Sequence, residues 1–178
     1  LDLPLAGAHL LDYGCGDGHL LAELLARARL ADADRPAVQL EDIVPADLAS
    51  AAAAVGPWAA SVGFTNVVDV ERWPTMQHDV VLVIGVLDYS VDWRVMLRLL
   101  MERTRHILVL TLPLRRPIRN LPRRAWLALH GISAHAVSPA DVETIGSELG
   151  VEISVTVRGR TLYACLRRPH ESIYPEPK

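Results

Sequence analysis

The segment Leu10-Leu11-Asp12-Tyr13-Gly14-Cys15-Gly16-Asp17-Gly18 constrains the fold more than any other stretch of the chain. An apolar run with strand character enters a loop that has glycine at every second position. Leu20, Leu21, Leu24, Leu25 and Ala28 then recur at helical spacing. Glycine tolerates the backbone that a sharp strand-to-helix turn requires, and it puts no Cβ into the space above the loop. A strand that turns directly into an amphipathic helix needs a sheet to pair with and a face to bury.

The same alternation continues downstream. Val38 to Val44 reads as a second strand, followed by an Ala-rich helix from about Asp47 to Val62, and Val67-Val68-Asp69-Val70 reads as a third strand. Asp79 to Val86 is a fourth, with continuous Val, Ile and Leu from Val80 to Ile84 as expected of a strand with helices on both faces. Trp93, Leu97 and Leu100 mark a helix, and Ile107 to Leu112 a fifth strand. Ser138-Pro139-Ala140-Asp141 has the form of a helix cap, with Pro at the first helical position and an acid closing the capping box. Val142, Ile145 and Leu149 form the stripe of that helix, and Gly150 stops it. Val151 to Val157 and Thr161 to Leu166 close the chain as a hairpin across Arg158-Gly159-Arg160. The expected fold is α/β, a seven-stranded, mostly parallel sheet with helices on both faces and an antiparallel C-terminal hairpin. One domain over residues 1–168 accounts for the pattern, and the Pro-rich 169–178 reads as a flexible tail.

Composition excludes several function classes. Apolar residues are 51% and charged residues 22% of the 178, a globular balance. The longest clean apolar run, Val80 to Leu87, is too short to span a bilayer. A net charge of −3 offers nucleic acid no general attraction. Cys15 and Cys165 are too few for a disulfide framework and lack the spacing of a zinc site. A reduced, cytoplasmic compartment and no bound metal are therefore expected.

The chemistry concentrates at the glycine loop. The helix that follows it offers free N–H groups and a partial positive charge to an anionic group. A dinucleotide fingerprint has Gly-x-Gly-x-x-Gly; here the third glycine comes one place early, and Asp12 would repel a pyrophosphate. An acid at that place suits a ligand that carries an ammonium group. On these residues the chain resembles the class I S-adenosylmethionine-dependent methyltransferases, Rossmann-like enzymes of the small-molecule type, over nearly its whole length.

The resemblance implies S-adenosylmethionine as cofactor and assigns roles. Asp12 would bind the methionine amino group, and Gly14, Gly16 and Gly18 would form the loop under the methionine and ribose parts. The acid that takes both ribose hydroxyls falls in Glu41-Asp42-Ile43-Val44-Pro45, with Asp42 the better-aligned acid and Glu41 its rival. A carboxylate can accept two hydrogen bonds from a cis-diol. Asp69 would lie near the adenine amino group and the Val70 N–H would face the ring, while Ile84-Gly85-Val86-Leu87 after the fourth strand would line the pocket. The family usually has a cofactor-covering helix before its first strand, whereas about eight residues precede it here. Either that helix lies in a part upstream of this sequence, or a protein partner or second copy supplies the cover, so the resemblance also allows a binding subunit.

The acceptor side is less determined. Methyl transfer is an in-line displacement that needs positioning and, for some acceptors, a base. Asp88 and Tyr89 directly after the fourth strand, and His130, are the candidate catalytic residues. The strand exit lacks the Asn/Asp-Pro-Pro-Tyr pattern used on base or amide nitrogens, which disfavours nucleobase methylation. Residues 113–137 interrupt the strand–helix rhythm with Arg115, Arg116, Arg119, Arg123 and Arg124 and no acid. They read either as a solvated helix-loop face or as an insertion that caps the pocket and handles anions. The reading is methyl transfer to a small, anionic acceptor. An RNA- or protein-directed methyltransferase is the alternative that the Arg segment allows.

Overall fold

The computed structural model describes residues 3–67, 76–90, 92–114 and 136–169. Their strands are β1 (His9–Tyr13), β2 (Ala37–Asp42), β3 (Ser61–Asn66), β4 (His78–Val83), β5 (Thr104–Pro113), β6 (Glu152–Arg158) and β7 (Thr161–Arg167). The helices are α1 (His19–Ala28), α2 (Pro45–Val55), α3 (Trp93–Glu102) and α4 (Pro139–Leu149). The strands form one seven-stranded sheet in the order β3-β2-β1-β4-β5-β7-β6. β1 to β5 are parallel, and β7 runs antiparallel to both β5 and β6. The expected fold is the observed one.

Alternation along the strands sorts two cores. Leu10, Val38, Leu40, Val80 and Leu82 face α1 and α2, burying Leu21, Leu25, Leu48 and Ala51. Leu11, Val81, Val83, Leu108 and Leu110 face α3 and α4, burying Trp93, Leu97, Leu100, Val142 and Ile145. Strands buried on both faces are largely apolar, which is why Val80 to Val83 of β4 reads as one unbroken run. The capping box forms at α4 as the sequence predicts. Asp141 N donates to Ser138 Oγ at 3.3 Å, Ser138 N donates to Asp141 Oδ2 at 2.8 Å, and Gly150 terminates the helix in the left-handed region.

β4 ends at Val83 rather than Val86 and β5 begins at Thr104 rather than Ile107, and two boundaries differ more from expectation. The helix expected to reach Val62 ends at Val55, because Gly56-Pro57-Trp58 tightens into a 3-10 turn and Pro57 has no N–H with which to continue it. The third strand is Ser61–Asn66 rather than Val67–Val70, in parallel register with β2 from Ala37↔Ser61 to Asp42↔Asn66. Ser-Val-Gly-Phe-Thr-Asn has weak strand propensity of its own, and pairing with β2 supplies the order. Val67 follows the strand, while Val68 to Val70 lie outside the described residues, as do Arg115 to His135 and residues 170–178. Among the described residues no helix is long and apolar enough to cross a membrane.

The chain runs outward from β1 through β2 to β3, then returns to β4 beside β1 and proceeds the other way. This reversal opens a crevice beyond the carboxyl ends of β1 and β4, the general ligand position of open α/β sheets. α1 starts at that crevice from Gly18, whose φ is 74°. A Cβ on Gly18 would stand 2.6 Å from the Ala51 Cα of α2, so the glycine sets how closely the two helices approach. Gly18→Ala should therefore destabilise the fold by about 2–3 kcal/mol, through overpacking and a left-handed φ together. Urea unfolding of the variant against the parent protein measures this.

Candidate functional site

At the crevice, the two acids that end β2 hold the glycine loop. The Glu41 carbonyl accepts the Gly14 amide at 2.7 Å and the Cys15 amide at 3.2 Å, extending the β1–β2 ladder into the loop. The Asp42 carboxylate accepts Gly16 N on Oδ2 at 2.9 Å and Val44 N on Oδ1 at 2.9 Å. The Asp42 carbonyl accepts Asn66 Nδ2 and Val67 N, both at 3.0 Å, which ties in the exit of β3. Each carboxylate oxygen has two acceptor positions, so Asp42 can hold the loop and still receive two further donors. The two acids differ sharply in surroundings. Glu41 is fully buried and takes both arms of the Arg103 guanidinium, Nη1 to Oε2 at 2.7 Å and Nη2 to Oε1 at 2.6 Å. Asp42 faces the crevice.

A pocket of about 300 Å³ opens there, walled by Tyr13, Gly14, Asp42, Ile43, Val44, Val67, Val86 and Tyr89. Its wall is largely aliphatic, and Ile43, 68% exposed, and Val44 present bare apolar surface beside the Asp42 carboxylate. A flat, weakly polar ring attached to a diol matches that combination. A Cβ on Gly16 would meet nothing within 4 Å, so the loop is open at this residue to a close-lying ligand.

Asp12 is 6% exposed at the end of β1. Burial pushes its carboxyl up to about 7, and the negative Asp42 adds to the rise. A cation placed beside Asp12 would reverse both effects. Burial, with Asp12 and Asp42 nearby, pushes the Cys15 thiol up to about 12, so at neutral pH it is a packing group rather than a nucleophile. Tyr13 is also pushed up to about 12, by burial and then by Glu41. Among the described residues no group of three His, Cys, Asp or Glu is placed to hold a metal.

Of the residues singled out by sequence, Gly14 and Asp42 line the pocket; Asp12 ends β1, and Gly16 and Gly18 lie in the adjoining loop without lining it. Gly85, with φ 74°, sits in the turn after β4, and its amide donates to Thr111 Oγ1 at 2.9 Å. Tyr89 is half-exposed and lines the pocket. Asp88, in the same 3-10 turn, is buried and does not line it. Asp69, Val70 and His130 lie outside the described residues. Of the Ile84-Gly85-Val86-Leu87 segment expected at the pocket, Val86 lines it and the other three do not. Sequence reasoning missed the aliphatic wall at Ile43, Val44 and Val67. The signal for part of it was an Ile-Val pair placed directly after a strand-end acid. Arg103 carries no local signal at all.

No protein-family model matches the sequence, and no curated protein matches it. Solved structures do. Magnesium protoporphyrin IX methyltransferase from Synechocystis PCC 6803, with bound SAH, superposes with a TM-score of 0.69 at 20% identity, over 93% of this chain and 76% of that one. The N-methyltransferase NodS from Bradyrhizobium japonicum WM9, in complex with S-adenosyl-L-homocysteine, gives 0.62 at 19% identity over 93% and 80%. The CurJ carbon methyltransferase gives 0.68 at 17% identity over 93% of this chain and 49% of its own, so this chain spans about half of that protein. The fold is that of the class I methyltransferases.

The raised Asp12 carboxyl has a consequence for stability. Its folded value of about 7 lies above the ordinary 3.8, so the folded state binds a proton that the unfolded state has already released between those values. The stability associated with the neutral form is complete below about 4 and is lost as pH rises through 7. Asp12→Asn should accordingly melt higher than the parent at pH 8, with the advantage shrinking toward pH 5. Thermal melts across that range test it.

Proposed function

We propose that this chain binds S-adenosylmethionine and transfers its methyl group to a small, anionic acceptor. The observation that supports the cofactor reading best is the Asp42 carboxylate. Backbone amides hold both its oxygens from one side, it faces an aliphatic pocket, and it lies beside a glycine loop open at Gly16. The residues fit the cofactor part by part. Asp42 has acceptor positions for the ribose diol, and Ile43, Val44, Val67 and Val86 supply apolar surface for the adenine ring. Asp12 is a buried acid whose charge a methionine ammonium would stabilise. Asp69 and Val70 are assigned to the adenine edge from the sequence resemblance. When bound, the cofactor supplies an electrophilic methyl group on a sulfonium.

The chain's own residues supply binding and orientation. The loop amides of Gly14, Cys15 and Gly16 are consumed by β2 and set the backbone path over which the ligand lies. With a ligand seated, the aliphatic wall would keep water from its inner side, which would strengthen the Asp12 and Asp42 interactions. Tyr89, at the pocket wall with half its surface exposed, is the described side chain best placed to orient an acceptor or take part in its proton transfer. Asp88 and His130 are the further acceptor-side candidates. The case for an anionic acceptor is chemical. Arg115, Arg116, Arg119, Arg123 and Arg124 stand without an acid within residues 113–137, the insertion of a catalytic domain proposed to span 1–168. The free thiols of Cys15 and Cys165 accord with a cytoplasmic setting.

Calorimetric titration should show micromolar binding of S-adenosylmethionine and S-adenosylhomocysteine and none of NAD; the reverse pattern would overturn the reading. Asp42→Ala should weaken the adenosyl ligands by at least about tenfold, the scale of losing a charge-assisted hydrogen-bond pair. Because Asp12 is neutral below about 7, binding of S-adenosylhomocysteine at pH 6 should release a proton, and Asp12→Asn should abolish that release. Titrations in buffers of different ionisation enthalpy count the protons.

A further inference from the structure

We propose that Arg103, which lies at the end of α3 and does not line the pocket, is a positioning residue that holds the cofactor loop through Glu41. The proposal rests on the cofactor reading above. Arg103 is fixed at its base: its amide donates to the Leu100 carbonyl at 3.2 Å, and its carbonyl accepts the His78 amide at 2.8 Å where β4 begins. Its tip is fixed by the two-point grip on Glu41, with both side chains buried. Planar, paired hydrogen bonds define direction as well as distance, which a single point charge would not.

Glu41 passes that constraint on. Its carbonyl receives the Gly14 and Cys15 amides, and the next residue is Asp42, whose carboxylate receives Gly16 N. Three consecutive loop amides thus depend on where the Glu41–Asp42 backbone lies. Tyr13, paired in register with Glu41, connects the ion pair to the pocket wall. Its phenol is influenced by both Glu41 and Arg103. His78 sits close to Arg103 and is pushed down to about 4, by burial and then by the Arg103 charge. At neutral pH it therefore adds no positive charge. The pair spans the sheet from the β4–β5 side to the end of β2, and it gives the loop an anchor beyond its own hydrogen bonds.

Removing one partner of a buried ion pair leaves a bare charge and can unfold the protein. The informative variant therefore replaces both partners, Glu41→Leu with Arg103→Met, because paired apolar replacement is often neutral for stability. The expected result is a melting temperature close to the parent's, an S-adenosylhomocysteine Kd raised about tenfold or more, and faster amide exchange at Gly14 and Gly16 but not at Leu108 or Leu110. A purely structural pair would leave both the Kd and the loop exchange unchanged, and that result would overturn the proposal. Should the double variant fail to fold, Arg103→Lys decides. It keeps the charge and loses the fork, so a Kd raised severalfold at near-parental melting temperature supports positioning, and an unchanged Kd overturns it. The parent protein is titrated first. If it binds no adenosyl ligand, the cofactor reading itself has failed, whereas a binding parent with an equally binding folded variant removes only the role of Arg103.

Discussion

Two adjacent acids at the end of β2 turn in opposite directions, and the crevice depends on that division. The Glu41 side chain goes into the protein to Arg103, while its carbonyl takes two loop amides. The Asp42 side chain turns to the loop and the pocket, while its carbonyl takes Asn66 and Val67. A strand alternates its faces residue by residue, so two neighbouring acids cannot share a surface. One becomes an internal anchor and the other a carboxylate that faces the crevice. The loop, the turn into α2 and the exit of β3 are all referenced to this pair of residues.

The arrangement is costly in isolation. Glu41 and Arg103 lose nearly all contact with water, and their attraction offsets that loss only because two short hydrogen bonds form together. Asp12 has no such compensation, and its carboxyl rises to about 7 instead of remaining an ordinary acid. A fold selected for stability alone would have little use for a carboxyl of that kind at the mouth of its sheet. Strongly shifted acids concentrate where a ligand will meet them. The two buried acids thus differ within a single layer of the sheet: Glu41 is compensated by Arg103, and Asp12 is proposed to be compensated by its ligand.

Much of the architecture was legible without coordinates. β4 could be recognised from unbroken Val and Leu, α4 from Ser138 and Asp141 with Gly150 beyond, and the closing hairpin from Gly159 between two β runs. These signals are local, because capping and alternation are set within a few residues. β3 was not legible at its true place, since Ser61–Asn66 contains glycine and polar residues and gains its order from register with β2. The same limit applied to the acids. Spacing narrowed the choice to Glu41 and Asp42, but only the arrival of Arg103 from the end of α3, 62 residues along the chain, shows which one is engaged inside.

By itself the sequence determined a helix-covered sheet, with a glycine loop between its first strand and helix and an acid just before that loop. Those features follow from periodicity, from backbone sterics at glycine and from caps, all of which act between near neighbours. Tertiary structure alone decided where β3 pairs, which of two adjacent acids faces the crevice, which aliphatic groups wall the pocket and how far burial lifts Asp12. Each of these depends on groups distant in sequence being brought within contact range, where desolvation and paired hydrogen bonds take effect.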